Sequence, residues 1–214
     1  MPIGQPERAT QNRVIQLFVA DLGYRYLGDW TDRADNSSVE EALTSAYLAR
    51  AGYTAPQISA ALHRLRTEAN NHNRSLYGNN EAVYQLLRYG VPVKVEVGKA
   101  TETVHLVNWA EPERNDFALA EEVTLKGGHE RRPDVVLYVN GIAMAVLELK
   151  NSRVSIGDGI RQNLSNQRPE FNAWFFSTVQ FVFAGNDSEG LQYGTIGTEE
   201  KYFLKWKEDE DDNQ

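Results

Sequence analysis

Residues 132–150 read RPDVVLYVNGIAMAVLELK, two apolar runs of strand length (135–139 and 142–147) joined by Asn140-Gly141. Asn-Gly between two such runs is the strongest short hairpin signal, because both turn positions need left-handed backbone. The runs are continuous in Val, Leu, Ile and Ala rather than alternating. They therefore predict strands covered on both faces, as in the middle of an α/β sheet. Asp134 stands at the start of the first run, and Glu148 and Lys150 at the end of the second. Two carboxylates and a lysine at the ends of paired strands can hold a divalent metal and act on a phosphodiester.

Register decides whether they converge. In a plain two-residue hairpin Val139 faces Ile142, and Asp134 then faces Leu147, which leaves Asp134 and Glu148 on opposite sides of the sheet. One extra residue brings Asp134 directly opposite Glu148. The expectation is a bulged turn, type I followed by a G1 bulge, with Gly141 in its left-handed position. Lys150, two residues past Glu148, shares its face in either register.

The 214 residues suffice for one fairly large domain, or a domain plus a lobe. Hydrophobic content of 41% and charged content of 24% are those of a soluble globular protein. The absence of cysteine excludes disulfides and thiolate metal sites. No apolar run approaches the roughly 20 residues of a membrane span, and MPIGQPERAT lacks a signal-peptide core, so the expected location is cytoplasmic with no membrane partner. The net charge of −8 argues against nucleic-acid binding until its distribution is read. Five acids crowd into 208–212, and residues 1–207 carry only −3. Residues 126–168 carry +3, two of whose four acids are the candidate ligands Asp134 and Glu148. The field around the motif is basic in an acidic chain, as phosphate binding requires, although solvated loop charges would give the same count.

Helical spacing predicts a helix over 10–22 with Val14, Leu17, Phe18 and Leu22 on one face, ending at Gly23. A second is expected from a Ser38 cap to Gly52, with Glu40 and Glu41 in its first turn. A third starts near Pro56 and carries Ile58, Ala61, Leu62 and Leu65. After a polar, turn-like segment over 69–80, a short fourth helix places Val83, Leu86 and Leu87 inside. From Val91 the alternation of VKVEV and TVHLV, then 117–125, predicts an antiparallel meander leading into the hairpin. A helix over 157–167, strands over 179–184 and 190–196 and a disordered acidic tail complete the chain. The expected organisation is a mainly helical part (1–90) packed on a mixed-sheet core (91–207), with a tail or linker over 208–214. The fold class is α/β, a mixed sheet flanked by helices with a helical N-terminal third.

Metal-dependent phosphodiester hydrolysis needs hard oxygen ligands that leave room for water and the scissile phosphate. Asp134 and Glu148 supply two, and the backbone carbonyl of Leu149 is a candidate third. Lys150 would steady the attacking water and the charge building on the phosphate. The bland alternative is a solvated Glu148–Lys150 pair at a strand end.

The block RPDVVLYVNG…AVLELK resembles the metal-binding core of the PD-(D/E)XK nucleases. More specifically, the chain is similar to the N-terminal nuclease region of the restriction (R) subunit of type I restriction–modification enzymes. The similarity runs from LGYRYLGDW (22–30) through GNN…LLRYGVPVKVEVG (78–98) and NDF (115–117) to the motif and a closing YFLKWK (202–207). It implies an endonuclease dependent on Mg²⁺, with Mn²⁺ as a substitute, that cuts double-stranded DNA. Its implied partners are specificity and methyltransferase subunits and the helicase/translocase domain of a longer chain, to which ATP belongs. Consistent with that, no GxxxxGK(S/T) motif occurs here. The motif residues of the family fall on Asp134, Glu148 and Lys150. The following helix, which in the family carries Gln-x-x-x-Tyr, supplies Gln162 to position the metal, phosphate or motif, but Asn166 stands at the tyrosine position. Where many relatives carry an acid on the first helix, Gln11 stands here, with Glu40 and Glu41 as alternatives.

His63, His72, His105 and His129 show no ligand spacing, though His129 precedes the motif closely enough to touch phosphate. Trp174, Phe175 and Phe176 could form a platform for a base, but an apolar core contribution is the favoured reading. Rival readings are a stand-alone repair or junction nuclease of the same core and a catalytically silent DNA or subunit docking module.

Overall fold

The computed structural model describes residues 5–95, 98, 100–127 and 129–207, so the acidic tail expected over 208–214 and part of VKVEV lie outside the described residues. In chain order the elements are α1 (Gln5–Gln16), β1 (Arg25–Asp29), α2 (Glu41–Arg50), α3 (Ala55–Ala69), α4 (Leu76–Tyr89), β2 (Val91–Val93), β3 (Glu102–Val104) and β4 (Phe117–Glu121). They continue with β5 (Val135–Val139), β6 (Ile142–Leu149), α5 (Ile156–Asn166), α6 (Ala173–Phe176), β7 (Phe181–Asn186), β8 (Gly190–Gly194) and β9 (Leu204–Lys205). Seven strands form one sheet in the order β1-β4-β5-β6-β7-β8-β9. The β1–β4 and β6–β7 pairs are parallel and the remainder antiparallel, which makes a mixed α/β sheet.

The hairpin that leads to the site forms, but its extra residue lies elsewhere than expected. Asn140 and Gly141 have φ of +53° and +81°, and Val139 faces Ile142, the geometry of a plain two-residue primed turn. Tyr138 still faces Ala143, but Leu137 faces Ala145, so Met144 is the inserted residue of a bulge inside β6. The bulge is held from outside the hairpin: the Gln180 amide donates to the Met144 carbonyl (2.8 Å) and the Thr178 hydroxyl to the Ala143 carbonyl (2.8 Å). The turn has no room for an extra residue. Gly141's carbonyl accepts from the Glu40 amide (2.8 Å), and the fully buried Asn140 donates its amide to the Leu106 carbonyl (2.9 Å) and Asn115 (2.8 Å). A Cβ at position 141 would come within 2.7 Å of Leu43 Cβ and the Thr44 nitrogen, at a φ that side chains rarely adopt. Gly141→Ala is therefore expected to lower unfolding stability by about 2–4 kcal/mol, read as a lower denaturant midpoint.

The bulge changes which side chains share a face. Ala143 and Val146 both join the cluster with Val136, Tyr138, Val182 and Ala184, whereas Ala145 joins the opposite cluster with Val135, Leu137 and Leu147. The first cluster is covered by Ile156 and Ile160 of α5, Phe175 and Phe176 of α6, and Trp30. The second is covered by Val14, Ile15 and Phe18 at α1 and the turn that follows it. Burying two aromatic rings completely gives Phe175 and Phe176 to the core rather than to a base platform. A third cluster, built by α2, α3, α4, β2 and β3, reaches the hairpin through Ile142. Packing thus crosses residue 90 in both directions, since β1 enters the large sheet and Ile142 enters the helical cluster.

Several helix and strand limits differ from the sequence reading for identifiable reasons. The first helix ends as α-helix at Gln16 and continues as a π turn over Leu17–Asp21, whose extra residue per turn rotates Leu17 and Leu22 outward, to 48% and 56% exposure. Ser38 does not cap α2. Its carbonyl accepts from Ala143 and Val39 bridges Ile142, so residues 38–40 run alongside β6 and the helix starts at Glu41. The turn-like segment over 69–80 already contains the start of α4, capped by the Ser75 hydroxyl accepting from the Gly78 amide (3.1 Å). The meander is not one sheet: β2 and β3 pair with each other, apart from the seven strands, and bury Val91, Val93 and Val104 among the helices. Among the described residues no helix is long and apolar enough to cross a membrane.

Candidate metal centre

Past the bulge, facing partners place Val135 opposite Leu147, and one more step places Asp134 opposite Glu148. Both carboxylates and Lys150 therefore continue the Val136/Val146 face, at the end of the sheet where β5 begins and β6 finishes. The shared face anticipated from parity holds, through Met144 rather than through the turn.

Asp134 is anchored by its own hairpin: the Leu149 amide donates to Oδ2 (2.6 Å). Leu149 is the last residue of β6 and pairs with Gly185, whose carbonyl accepts from the Lys150 amide (2.8 Å). These bonds pin the backbone on both sides of the candidate Leu149 carbonyl. Glu148 is fully buried and held from α5, with Gln162 Nε2 donating to Oε2 (2.7 Å) and Asn166 Nδ2 to Oε1 (3.3 Å). Both amides reach one carboxylate because residues four apart lie on one helix face. Gly159 allows α5 to lie close, as a Cβ there would already be 3.2 Å from Ala184 Cβ and 3.5 Å from the Glu148 carbonyl. Asn166, at the position where the related pattern carries tyrosine, thus supports the same carboxylate as Gln162.

The electrostatics record two acids brought together away from water. Burial pushes the Glu148 carboxyl well above its ordinary range, and the neighbouring Asp134 raises it further while Lys150 opposes the shift. Burial also pushes Asp134 up to about 6, against the Leu149 amide and Lys150, which favour its ionised form. Glu122 and Glu7 add negative charge to both.

Glu7 is the residue sequence reasoning missed. It lies in the first turn of α1, and its Oε1 is 3.4 Å from Lys150 Nζ, on a side chain only 13% exposed. Gln11, one turn later, bonds Glu121 (2.9 Å), Glu122 (3.0 Å) and the Asp134 carbonyl (3.3 Å), so it braces the rim of the site. The i,i+4 pair Glu7/Gln11 was a readable signal that the apolar pattern, which begins at Val14, did not cover. Glu40 and Glu41 do not complete the site. Glu40 bonds Arg33 (2.6 and 2.9 Å) and the hairpin turn, about 20 Å along β6 from Glu148, and Glu41 pairs with Arg66. His129 lies against the Phe171 ring (5.4 Å between centroids).

Among the described residues no group of three or more His, Asp or Glu is gathered tightly enough to hold a metal ion by itself. The donor set still fits a hard divalent cation. Two mutually repelling carboxylates, one fully buried, would both be relieved by a cation, and Mg²⁺ commonly takes one or two protein carboxylates and fills its octahedron with water and phosphate oxygen.

The family model described as type I restriction enzyme R protein N terminus matches residues 4–201. The chain belongs to this family. Among its relatives, the MjaIXP type I restriction enzyme endonuclease subunit named in Methanocaldococcus jannaschii is 24% identical over 163 residues, covering 72% of this chain and 15% of that protein. The HindI type I restriction enzyme endonuclease subunit of Haemophilus influenzae is 25% identical over 134 residues, covering 60% of this chain and 12% of its own. The chain thus spans about an eighth to a seventh of the length of these relatives. Groups that support a metal ligand commonly matter almost as much as the ligand itself. Gln162→Ala is expected to weaken divalent-ion affinity about 10- to 100-fold with little change in fold, as measured by calorimetric titration with Mn²⁺.

Proposed function

We propose that this domain is the nuclease of a type I restriction enzyme: a Mg²⁺-dependent, PD-(D/E)XK-type endonuclease cutting double-stranded DNA with little sequence preference of its own. The observation that carries the reading is the Met144 bulge, which turns Asp134, Glu148 and Lys150 onto one face at the sheet's end within a domain of the R-protein family. A strand insertion that brings two acids together, at a cost in buried charge, is what a functional site rather than a structural one requires.

In this reading Asp134, Glu148 and the Leu149 carbonyl hold Mg²⁺, or Mn²⁺ in its place. The bound cation would offset phosphate charge and acidify a water. Lys150 donates to the scissile phosphate or to that water and stabilises the added negative charge. Gln162 and Asn166 fix Glu148 so that its oxygens point into the site, and the Leu149 amide does the same for Asp134. The reading further assigns target choice to specificity and methyltransferase subunits in the cytoplasm. Strand delivery falls to an ATP-driven translocase in the remainder of a longer R subunit. A direct test is conversion of supercoiled plasmid by the assembled enzyme with Mg²⁺. Wild type should yield cut DNA and Asp134→Ala should fall at least about 100-fold below it; equal conversion would remove the nuclease assignment and leave a docking role.

A further inference from the structure

A second cleft, of about 700 Å³, opens at the turn end of the hairpin, lined among others by Arg50, Arg88, Arg114, His105, Tyr53 and Trp109. It lies about 20 Å from Glu148 along β6, well outside reach of the metal centre. Its walls are fixed by long-range bonds rather than left to loop mobility. Trp109 keeps its ring 48% exposed while its indole nitrogen donates to the Leu87 carbonyl (2.8 Å). The loop that carries Trp109 and Arg114 is strapped by Asn115, whose amide donates to the Asn108 and Pro112 carbonyls (2.9 and 2.8 Å) and whose Oδ1 accepts from the Asn108 amide (2.8 Å). The same Oδ1 accepts from Asn140 of the hairpin turn (2.8 Å). On the opposite wall, the Tyr53 hydroxyl accepts from the His105 amide (2.9 Å).

Charge and aromatic surface coincide in this cleft. Arg88 lies 5.5 Å from the Trp109 ring centroid and has no carboxylate partner among the described residues. Asp116 is 4.0 Å from Arg50, but its carboxylate is held by Arg25 at 2.7 Å. Arg114 has an exposed i,i+3 partner in Glu111 (3.1 Å), a kind of pair worth little and readily exchanged for a phosphate. Three guanidinium groups, whose forks match phosphate oxygens, therefore share a preformed cleft with a half-exposed indole face. Phosphate beside a flat ring is the composition of a nucleotide.

We propose that this cleft binds a phosphorylated nucleoside, its phosphate among Arg50, Arg88 and Arg114 and its base against Trp109. The ligand is either one unit of a nucleic-acid strand or a free nucleotide. The site works without the metal centre and does not depend on the nuclease reading, so both can be tested apart.

The experiment is fluorescence anisotropy of a labelled single-stranded oligonucleotide on metal-free protein in EDTA, alongside direct titration with ATP and AMP. Binding to wild type should weaken about 10-fold or more in the Arg88→Ala/Arg114→Ala variant, with the salt dependence shallower by about two charges. Trp109→Ala should weaken it about 5- to 100-fold and Trp109→Phe much less, all variants being checked for an unchanged melting profile. Oligonucleotide binding that ATP and AMP fail to displace identifies a strand, and tight nucleotide binding that competes with it identifies a free nucleotide. Failure of wild type to bind either, equal affinity in the arginine variant, or an abasic oligomer binding as well as one with bases would each overturn the proposal.

Discussion

Lys150→Ala is expected to lower DNA cleavage by about 10²–10³-fold while divalent-ion binding is kept or strengthened. The split follows from where the ammonium sits. Lys150 shares the face of Asp134 and Glu148, and its charge favours the ionised form of both. Removing a cation from beside the two proposed ligands makes the pocket more negative, which favours Mg²⁺ or Mn²⁺. It also removes the donor that would meet negative charge developing on the phosphate. The readouts are plasmid cleavage by the assembled enzyme and calorimetric titration with Mn²⁺. Loss of both activities together would make Lys150 a structural partner of Glu7 and not a catalytic group.

Glu148→Gln is expected to abolish cleavage and at the same time stabilise the metal-free protein above pH 7. The sign follows from the direction of the shifts. Glu148 titrates well above its ordinary range in the fold, and Asp134 rises from 3.8 to about 6. For acids raised on folding, the folded state binds more protons than the unfolded one between the two values. Stability is therefore complete below about pH 4 and is lost as pH rises through about 6 for Asp134 and higher for Glu148. The rise at Asp134 alone corresponds to about 3 kcal/mol at roughly 1.4 kcal/mol per pH unit. Glutamine removes the buried charge and the repulsion it exerts on Asp134, and the site can accept its amide. The Asn166 Oδ1 is buried without a hydrogen-bond partner, so a flip of Asn166 turns it toward the new NH₂. A gain of about 1–3 kcal/mol, or several degrees in Tm at pH 7.5, is expected, with a melting temperature less sensitive to pH than that of wild type. A variant less stable than wild type at pH 7.5 would show that the Gln162 and Asn166 bonds outweigh the buried charge.

The site was legible where local rules govern and obscure where distant packing does. The strand over 135–139, the Asn-Gly turn and the parity argument for Asp134 and Glu148 all follow from period-two geometry and left-handed turn chemistry. Nothing near Met144 in sequence marks the bulge, because its partners Thr178 and Gln180 lie over 30 residues away. Gln162 was visible as part of a pattern, whereas Asn166 read as a departure from it; only the approach of α5 at Gly159 shows that its amide serves the same carboxylate. Glu7 precedes the helix expected over 10–22, so amphipathic reading starts too late to include it, whereas Gln11 fell inside that helix. β1 went unrecognised because its partner β4 is about 90 residues downstream and its own residues are half exposed.

Titration of Mn²⁺ into metal-free wild type and Glu148→Gln, with heat and melting temperature recorded on the same samples, tests the central claim most directly. Convergence of Asp134 and Glu148 on one cation predicts saturable binding and a raised Tm in wild type, and neither in the variant. Equal heats and equal shifts in the two proteins would contradict it.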